Sequence, residues 1–370
     1  MRKVPQNMNE KIETVFAPIN LGICPEGRIN RKFSNFYIER SGKYIDLTYI
    51  GNVSIHKKYR TNNLTPLLLV EDKDEWLYLI NKVKQNGSLI GIQLGCRYYK
   101  SKAMRKIINK KAELKIEEIK KFILSLDASE IDLIISQFIE KSKQAIDLGF
   151  DYIQIHAAHG YLLSLLLSQN LNLRNDKYNS SDCLFIHQIV DNIRKYSSDI
   201  GIDLRVSLIE GIRDENLEFQ QSLSTLRKLS TLKINMISLS NGIYDINKSL
   251  IYPALNKGFY PMQKYEEEIL KINDDIIWNF SGNLNDIKKI KNLPFSDNRS
   301  ISIGRPLIAD PNFLITVRSE DTLTNCNDCG KCHYYTRGFD GIECPKYEEK
   351  YSKVLLRNNL IYKFDIQLYN

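Results

Sequence analysis

GFDYIQIHAAHGYLLSLLLSQNLNLRNDKYNSS, residues 149–181, holds a strand, a loop and the start of a helix in one unit. The run YIQIH (152–156) alternates as a strand does and ends on His156, and a helix begins near Tyr161. Just upstream, SEIDLIISQFIEKSKQAIDL (129–148) repeats its apolar residues with a helical period. Helix, strand, loop and helix in succession form one turn of a β/α rhythm.

The rhythm continues outward in both directions. TVFAPI (14–19), YIDLTYIG (44–51), LIGIQLG (89–95), LRVSL (204–208), INMISLS (234–240), IIWNFSG (276–282) and SISIG (300–304) bring the candidate strands to eight. Helical patterns such as DKDEWLYLINKVKQ (72–85) and DCLFIHQIVDNIRKY (182–196) fall between them. Strands alternating with helices imply a parallel sheet covered by helices, and eight units suggest a closed (β/α)8 TIM barrel. We expect the barrel over residues 1–318 and a short Cys-containing extension over 319–370.

In such a barrel the active site lies at the C-terminal ends of the strands. Distinctive residues stand there: Pro18 and Asn20, Gly51 and Asn52, Gln93, His156, Arg205, Ser240 and Asn241, Gly282, and Gly304 with Arg305. No GxGxxG motif follows any strand, which disfavours a Rossmann dinucleotide domain.

Composition bounds the function. The net charge is +8, but lysines are scattered and form no basic block, so nucleic acid is not an expected partner. No stretch approaches the roughly 20 apolar residues of a membrane helix, and the N-terminus lacks the apolar core of a secretory signal. A cytoplasmic location is expected, with the seven cysteines as thiols or ligands and not disulfides. Cys24, Cys96 and Cys183 are isolated; Cys326, Cys329, Cys332 and Cys344 form C-x2-C-x2-C-x11-C.

His156 and His159 in H-x-x-H could clasp zinc, serve as loop residues, or donate to a substrate oxygen. The surrounding AHGYL and the later NLRNDKY closely resemble the fourth strand and following loop of the Old Yellow Enzyme family of NAD(P)H:flavin ene-reductases. The resemblance implies a barrel that binds FMN, takes reducing equivalents from NADH or NADPH, and reduces an enone or related activated alkene. It implies that His156 and His159 hold the activating oxygen and that Tyr161 supplies a proton. Arg174 and Asp176 read as structural residues that tie the loop down.

Further segments carry the likeness. APIN (17–20) is similar to the family's first-strand motif, implying flavin contacts from Pro18, Ile19 and Asn20, the last standing where the family has Thr or Cys. YIGNVSI (49–55) is similar to the T-G-N-V segment that contains Gly51, with Ile50 for Thr. Gln93 matches the glutamine at the flavin pyrimidine edge, and Arg205 the arginine beside the pyrimidine nitrogen. SGN (281–283) and IGRPLIADP (303–311) resemble the phosphate loops, implying contacts from Gly282, Asn283, Gly304 and Arg305. Two loops depart: QLGCRYYK (93–100) lacks the family's His and Gly, and YNSS (178–181) replaces Y-G-G-S.

The cysteine spacing resembles the iron–sulfur segment of the 2,4-dienoyl-CoA reductase and trimethylamine dehydrogenase branch. It implies a [4Fe–4S] cluster, with zinc as the alternative, and raises a separate electron-transfer protein as a reductant. Two other functions stay open: a flavin amine dehydrogenase or demethylase exporting electrons through the cluster, and a divergent flavin- or metal-binding protein without turnover.

Overall fold

β-Branched and apolar runs too short for helices form eight parallel strands that close in sequence order. These are β1 Thr14–Phe16, β2 Leu47–Ser54, β3 Leu89–Gly95, β4 Tyr152–Ala157, β5 Gly201–Ile209, β6 Met236–Asn241, β7 Ile277–Ser281 and β8 Arg299–Ile303. The computed structural model describes residues 11–98, 111–294, 296–315, 326–333 and 341–348. The expected boundary at 318 and most of the extension fall outside these residues.

All eight expected strands are present, with shifted ends. β1 stops at Phe16, ahead of Pro18, which has no N–H to give a ladder. β2 starts later than the apolar run because Asp46 turns its carboxylate back to accept from the N–H groups of Glu13 and Thr14, at 2.9 and 3.0 Å. It then runs on to Ser54 through a register shift between Ile50 and Val53.

Helices cover the outside: α1 Arg31–Glu39, α2 Lys73–Gln85, α3 Ala112–Leu124, α4 Ala128–Leu148, α5 Leu162–Leu167, α6 Leu184–Tyr196, α7 Glu215–Leu229, α8 Tyr244–Ile251, α9 Gln263–Leu270, α10 Ile287–Lys291 and α11 Arg305–Ala309. α4 ends where Gly149 takes φ +93°, a left-handed cap that costs glycine least. The main core lies between strands and helices and includes Trp76, Phe138, Ile189 and Leu226. Buried Arg40, the C-cap of α1, donates from Nε to Leu307 O at 2.8 Å and from Nη2 to Ile308 O at 3.2 Å, joining α1 to α11.

Inside the barrel, the floor is apolar, with Val15, Leu47, Tyr49, Tyr152 and Met236. Above the floor lies a polar layer. Gln93 Nε2 donates to Gln154 Oε1 at 2.6 Å, and Gln154 Nε2 donates to Asp203 Oδ2 at 2.5 Å. Ser238 donates to the same carboxylate from its N–H at 3.1 Å and its hydroxyl at 2.8 Å. Asn279 extends the layer to Ser300 at 2.8 Å.

A buried ion pair anchors the opposite, N-terminal end of the barrel. Glu266 Oε1 accepts from Arg299 Nε at 2.9 Å and Nη2 at 2.7 Å, with side chains only 9% and 2% exposed. Removing one partner strands the other charge away from water. Glu266→Ala should therefore lower the unfolding free energy in urea by about 3–5 kcal/mol. A loss below ~1 kcal/mol would show that the pair behaves like an exposed one.

Candidate active site

The C-terminal ends of the strands open into a cavity of about 730 Å³. Pro18, Ile19, Asn20, Gln93, His156, His159, Tyr161, Arg205, Gly282, Asn283, Gly304 and Arg305 all line it, as the sequence implied. Gly51 does not. It lies behind Gln93 at φ +142°, where a Cβ would come within 3.0 Å of Gln93 Cβ and carbonyl O. Close packing of two strands, and not exposure to a ligand, is what demands glycine there.

His156 leaves the end of β4 pointing into the cavity. His159 follows in a left-handed turn at φ +63°, its N–H bonded to Ser207 Oγ at 2.9 Å. The turn sets the imidazoles edge to face, with centroids 5.1 Å apart, and places the Tyr161 ring 4.2 Å from His156. Ser240 Oγ stands 2.7 Å from His159 Nε2, and Thr61 Oγ1 stands 2.8 Å from the Tyr161 hydroxyl.

Burial, and then the nearby cations, hold both imidazoles well below the usual histidine range; Arg205 and Arg97 act on both, and His156 acts on His159. Burial raises the Tyr161 phenol, opposed by Arg97 and Thr61. The site therefore offers neutral imidazoles and a protonated phenol at neutral pH, hydrogen-bond donors and a weak acid but no strong base. The histidines form no metal site: among the described residues no group of three or more His, Cys, Asp or Glu is arranged to hold a metal ion.

A planar, polar cofactor fits the inner wall. Arg205 Nη1, His156 Nδ1 and Asn52 Nδ2 are buried with no hydrogen-bond partner among the described residues, an arrangement that calls for a polar ligand. Gln93 lies on the same wall. At the far end Gly282 and Gly304 leave room: a Cβ at Gly282 would meet nothing within 4 Å, and one at Gly304 nothing nearer than 3.8 Å. Two backbones so open to the cavity suit a phosphate. Arg305 stands beside them, but Asp328 pairs with its Nη1, and its Nη2 donates to Pro253 O at 2.6 Å.

The sequence missed the roof. Arg97 pairs with both oxygens of Asp245 at 3.1 Å, and its guanidinium lies 5.6 Å from the Tyr161 ring and 5.1 Å from the Tyr244 ring. Tyr252 and His333 stack with centroids 4.0 Å apart and close the cavity on the side of the cysteines. Arg97 sits in the divergent QLGCRYYK loop, whose last two residues lie outside the described ones. Arg174 does tie a loop down, donating to Ile123 O and Leu126 O at 2.8 and 2.7 Å.

Cys326 and Cys332 line the cavity, whereas Cys329 and Cys344 do not, and Cys329 is exposed. Burial, and then Cys326, pushes the Cys332 thiol up to about 12. The four sulfurs do not compose a ligand set. Cys24, Cys96 and Cys183 are buried thiols raised by desolvation, and none of them lines the cavity. No helix among the described residues is long and apolar enough to cross a membrane.

Comparisons with known proteins agree with this fold. The chain is similar to an NADPH dehydrogenase of Clostridium acetobutylicum, 27% identical over 283 residues that cover 71% of this chain and 79% of the relative. It is 25% identical over 326 residues to an NADPH dehydrogenase of Bacillus subtilis, covering 85% and 92%. Among solved structures, Old Yellow Enzyme from a Pichia species superposes with a TM-score of 0.64 at 16% identity, covering 84% of each chain. A 2-naphthoyl-CoA reductase in complex with 2-naphthoyl-CoA gives 0.73 at 15% identity, covering 90% of this chain but only 54% of the larger protein. The model of the NADH:flavin oxidoreductase / NADH oxidase family matches residues 15–323, and the chain belongs to that family.

Proposed function

We propose that this NAD(P)H:flavin oxidoreductase reduces the C=C bond of a small activated alkene such as an enone. The observation that carries the reading is the placement of two neutral imidazoles and one protonated phenol around one cavity, beside an inner wall with orphaned polar groups. Bound FMN would supply hydride, replenished from NADH or NADPH. Gln93 and Arg205 would hold its pyrimidine edge. Pro18, Ile19 and Asn20 would lie along its ring, and Gly282, Asn283, Gly304 and Arg305 would hold its phosphate.

The remaining chemistry belongs to side chains. An activated alkene that accepts hydride at its β carbon accumulates negative charge on its carbonyl oxygen. N–H donors on His156 and His159 would stabilise that charge in a site shielded from water. Tyr161 would deliver a proton to the α carbon. Thr61, at 2.8 Å, holds the phenol oxygen in place during the transfer. NAD(P)H oxidation measured with and without an enone tests the reading: no stimulation by any enone, in protein that retains FMN, would defeat it.

We also propose that Cys326, Cys329, Cys332 and Cys344 ligate a [4Fe–4S] cluster, on the strength of their spacing in the sequence, which would have to draw the thiolates together around the cluster. Anaerobically purified protein should carry about four iron and four acid-labile sulfide per chain. One zinc without sulfide would assign the thiolates a structural role and remove any electron-transfer protein from the scheme.

A further inference from the structure

The polar layer inside the barrel has a direction. Among its members, Asp203 when ionised can only accept hydrogen bonds, the form that the donors around it from Gln154 and Ser238 support, and the backbone N–H of Ser238 can only donate. Ser238 N–H therefore occupies Asp203 Oδ1, and Gln154 must turn its NH2 toward Oδ2. That leaves Gln154 Oε1 facing Gln93, which must answer with its own NH2 at 2.6 Å. The oxygen of Gln93 is then the end of the amide left for a ligand in the cavity that Gln93 lines.

We propose that Asp203 is a positioning residue that, through Gln154, fixes which end of the Gln93 amide faces the cofactor. The inference rests on the reading that Gln93 meets the flavin pyrimidine edge. The central group of that edge is an imide N–H, which needs an acceptor. A Gln93 amide turned the other way would set its NH2 against that N–H, two donors with nothing between them.

Both relay residues are fully buried, so water cannot substitute for either link. Burial raises the Asp203 carboxyl; the bonds from Gln154 and Ser238 and the Arg205 guanidinium oppose that and support the charged form. An amide alone at 203 would lose the direction. In Asp203→Asn, Ser238 N–H still requires the oxygen, so the new NH2 meets Gln154, which must reverse, and Gln93 reverses in turn.

The test is FMN binding, followed by flavin fluorescence and by the absorption spectrum of the bound flavin. Asp203→Asn should weaken FMN binding roughly tenfold or more, the cost of one buried hydrogen bond left unmade. The double variant Asp203→Asn with Gln154→Glu moves the carboxylate one step along the relay. The relocated carboxylate would accept from both neighbours, so Gln93 should recover its direction, and affinity and spectrum should return near those of the wild type. A role in folding alone would not be rescued by transferring the charge.

If Asp203→Asn fails to fold, the double variant is compared with Gln154→Met, which deletes the link. Near-normal binding in the former and weakened binding in the latter support the relay. Folded Asp203→Asn that binds FMN as the wild type does, or a double variant no better than the single one, overturns it. Wild-type protein that binds no FMN would instead defeat the cofactor reading, and this inference with it.

Discussion

Tyr161→Phe should leave reduction of the bound flavin by NAD(P)H intact while slowing alkene reduction by roughly 10²- to 10⁴-fold, the usual weight of a general acid. Phenylalanine keeps the ring that packs 4.2 Å from His156 and removes only the hydroxyl. Tyr161 is 4% exposed, so no bulk water stands ready to replace its proton. Stopped-flow kinetics separate the two half-reactions. The oxidative half-reaction should also be level in pH across the neutral range, because burial keeps both histidines neutral and Tyr161 protonated there. An unchanged oxidative half-reaction in Tyr161→Phe, with a substrate that must be protonated at its α carbon, would assign the acid to water or another residue.

Arg205→Ala should weaken FMN binding by roughly 10- to 100-fold, the range for a hydrogen bond to a charged group. Arg205 is 7% exposed, and its Nη1 has no hydrogen-bond partner among the described residues, so that nitrogen is left for a ligand. The substitution also leaves Asp203 without the cation that opposes its desolvation. What remains beneath the inner wall is a buried carboxyl with less to compensate it, and flavin reduction should slow as well as binding weaken. Equilibrium titration and single-turnover reduction measure the two effects. Unchanged affinity would place the pyrimidine edge away from Arg205.

The β/α rhythm made the barrel legible because each strand is a short apolar run with a polar residue at its end. Its limits were readable only to within a few residues: TVFAPI looks like a six-residue strand, yet three pair, because Pro18 contributes no donor. Residues that reach the cavity directly from strands, Gln93, His156 and Arg205, were therefore legible too. Gly51 was misplaced because glycine after a strand looks the same whether a ligand or a neighbouring strand requires the space. Arg97, Tyr244 and Asp245 were invisible since they meet across loops after different strands, a pairing set by tertiary folding alone. Asp203 was hidden differently: in LRVSL and its neighbours a strand period of two puts it on the inward face with Arg205, but nothing local reveals that Gln154 lies opposite.

Arg305 shows why charge at a strand end is an incomplete guide. Read alone it is a phosphate ligand; in the fold, Asp328 of the cysteine segment already holds one of its nitrogens. The same contact ties the cysteine segment to the end of the cavity lined by Gly282 and Gly304.

The pairing of Thr14 with Ile301 constrains how the molecule can be made. As the chain leaves the ribosome, β1 emerges early and must wait for nearly the whole barrel before its second neighbour exists. Until then β1 and the most recent strand present open edges able to pair with other chains. Closure of so long a loop is slow, and exposure lasts as long as synthesis does. Arg40 shares the delay, a guanidinium whose acceptors at Leu307 and Ile308 arrive only with α11. Nascent chains stalled before β8 should accordingly be the ones that chaperones hold and proteases cut.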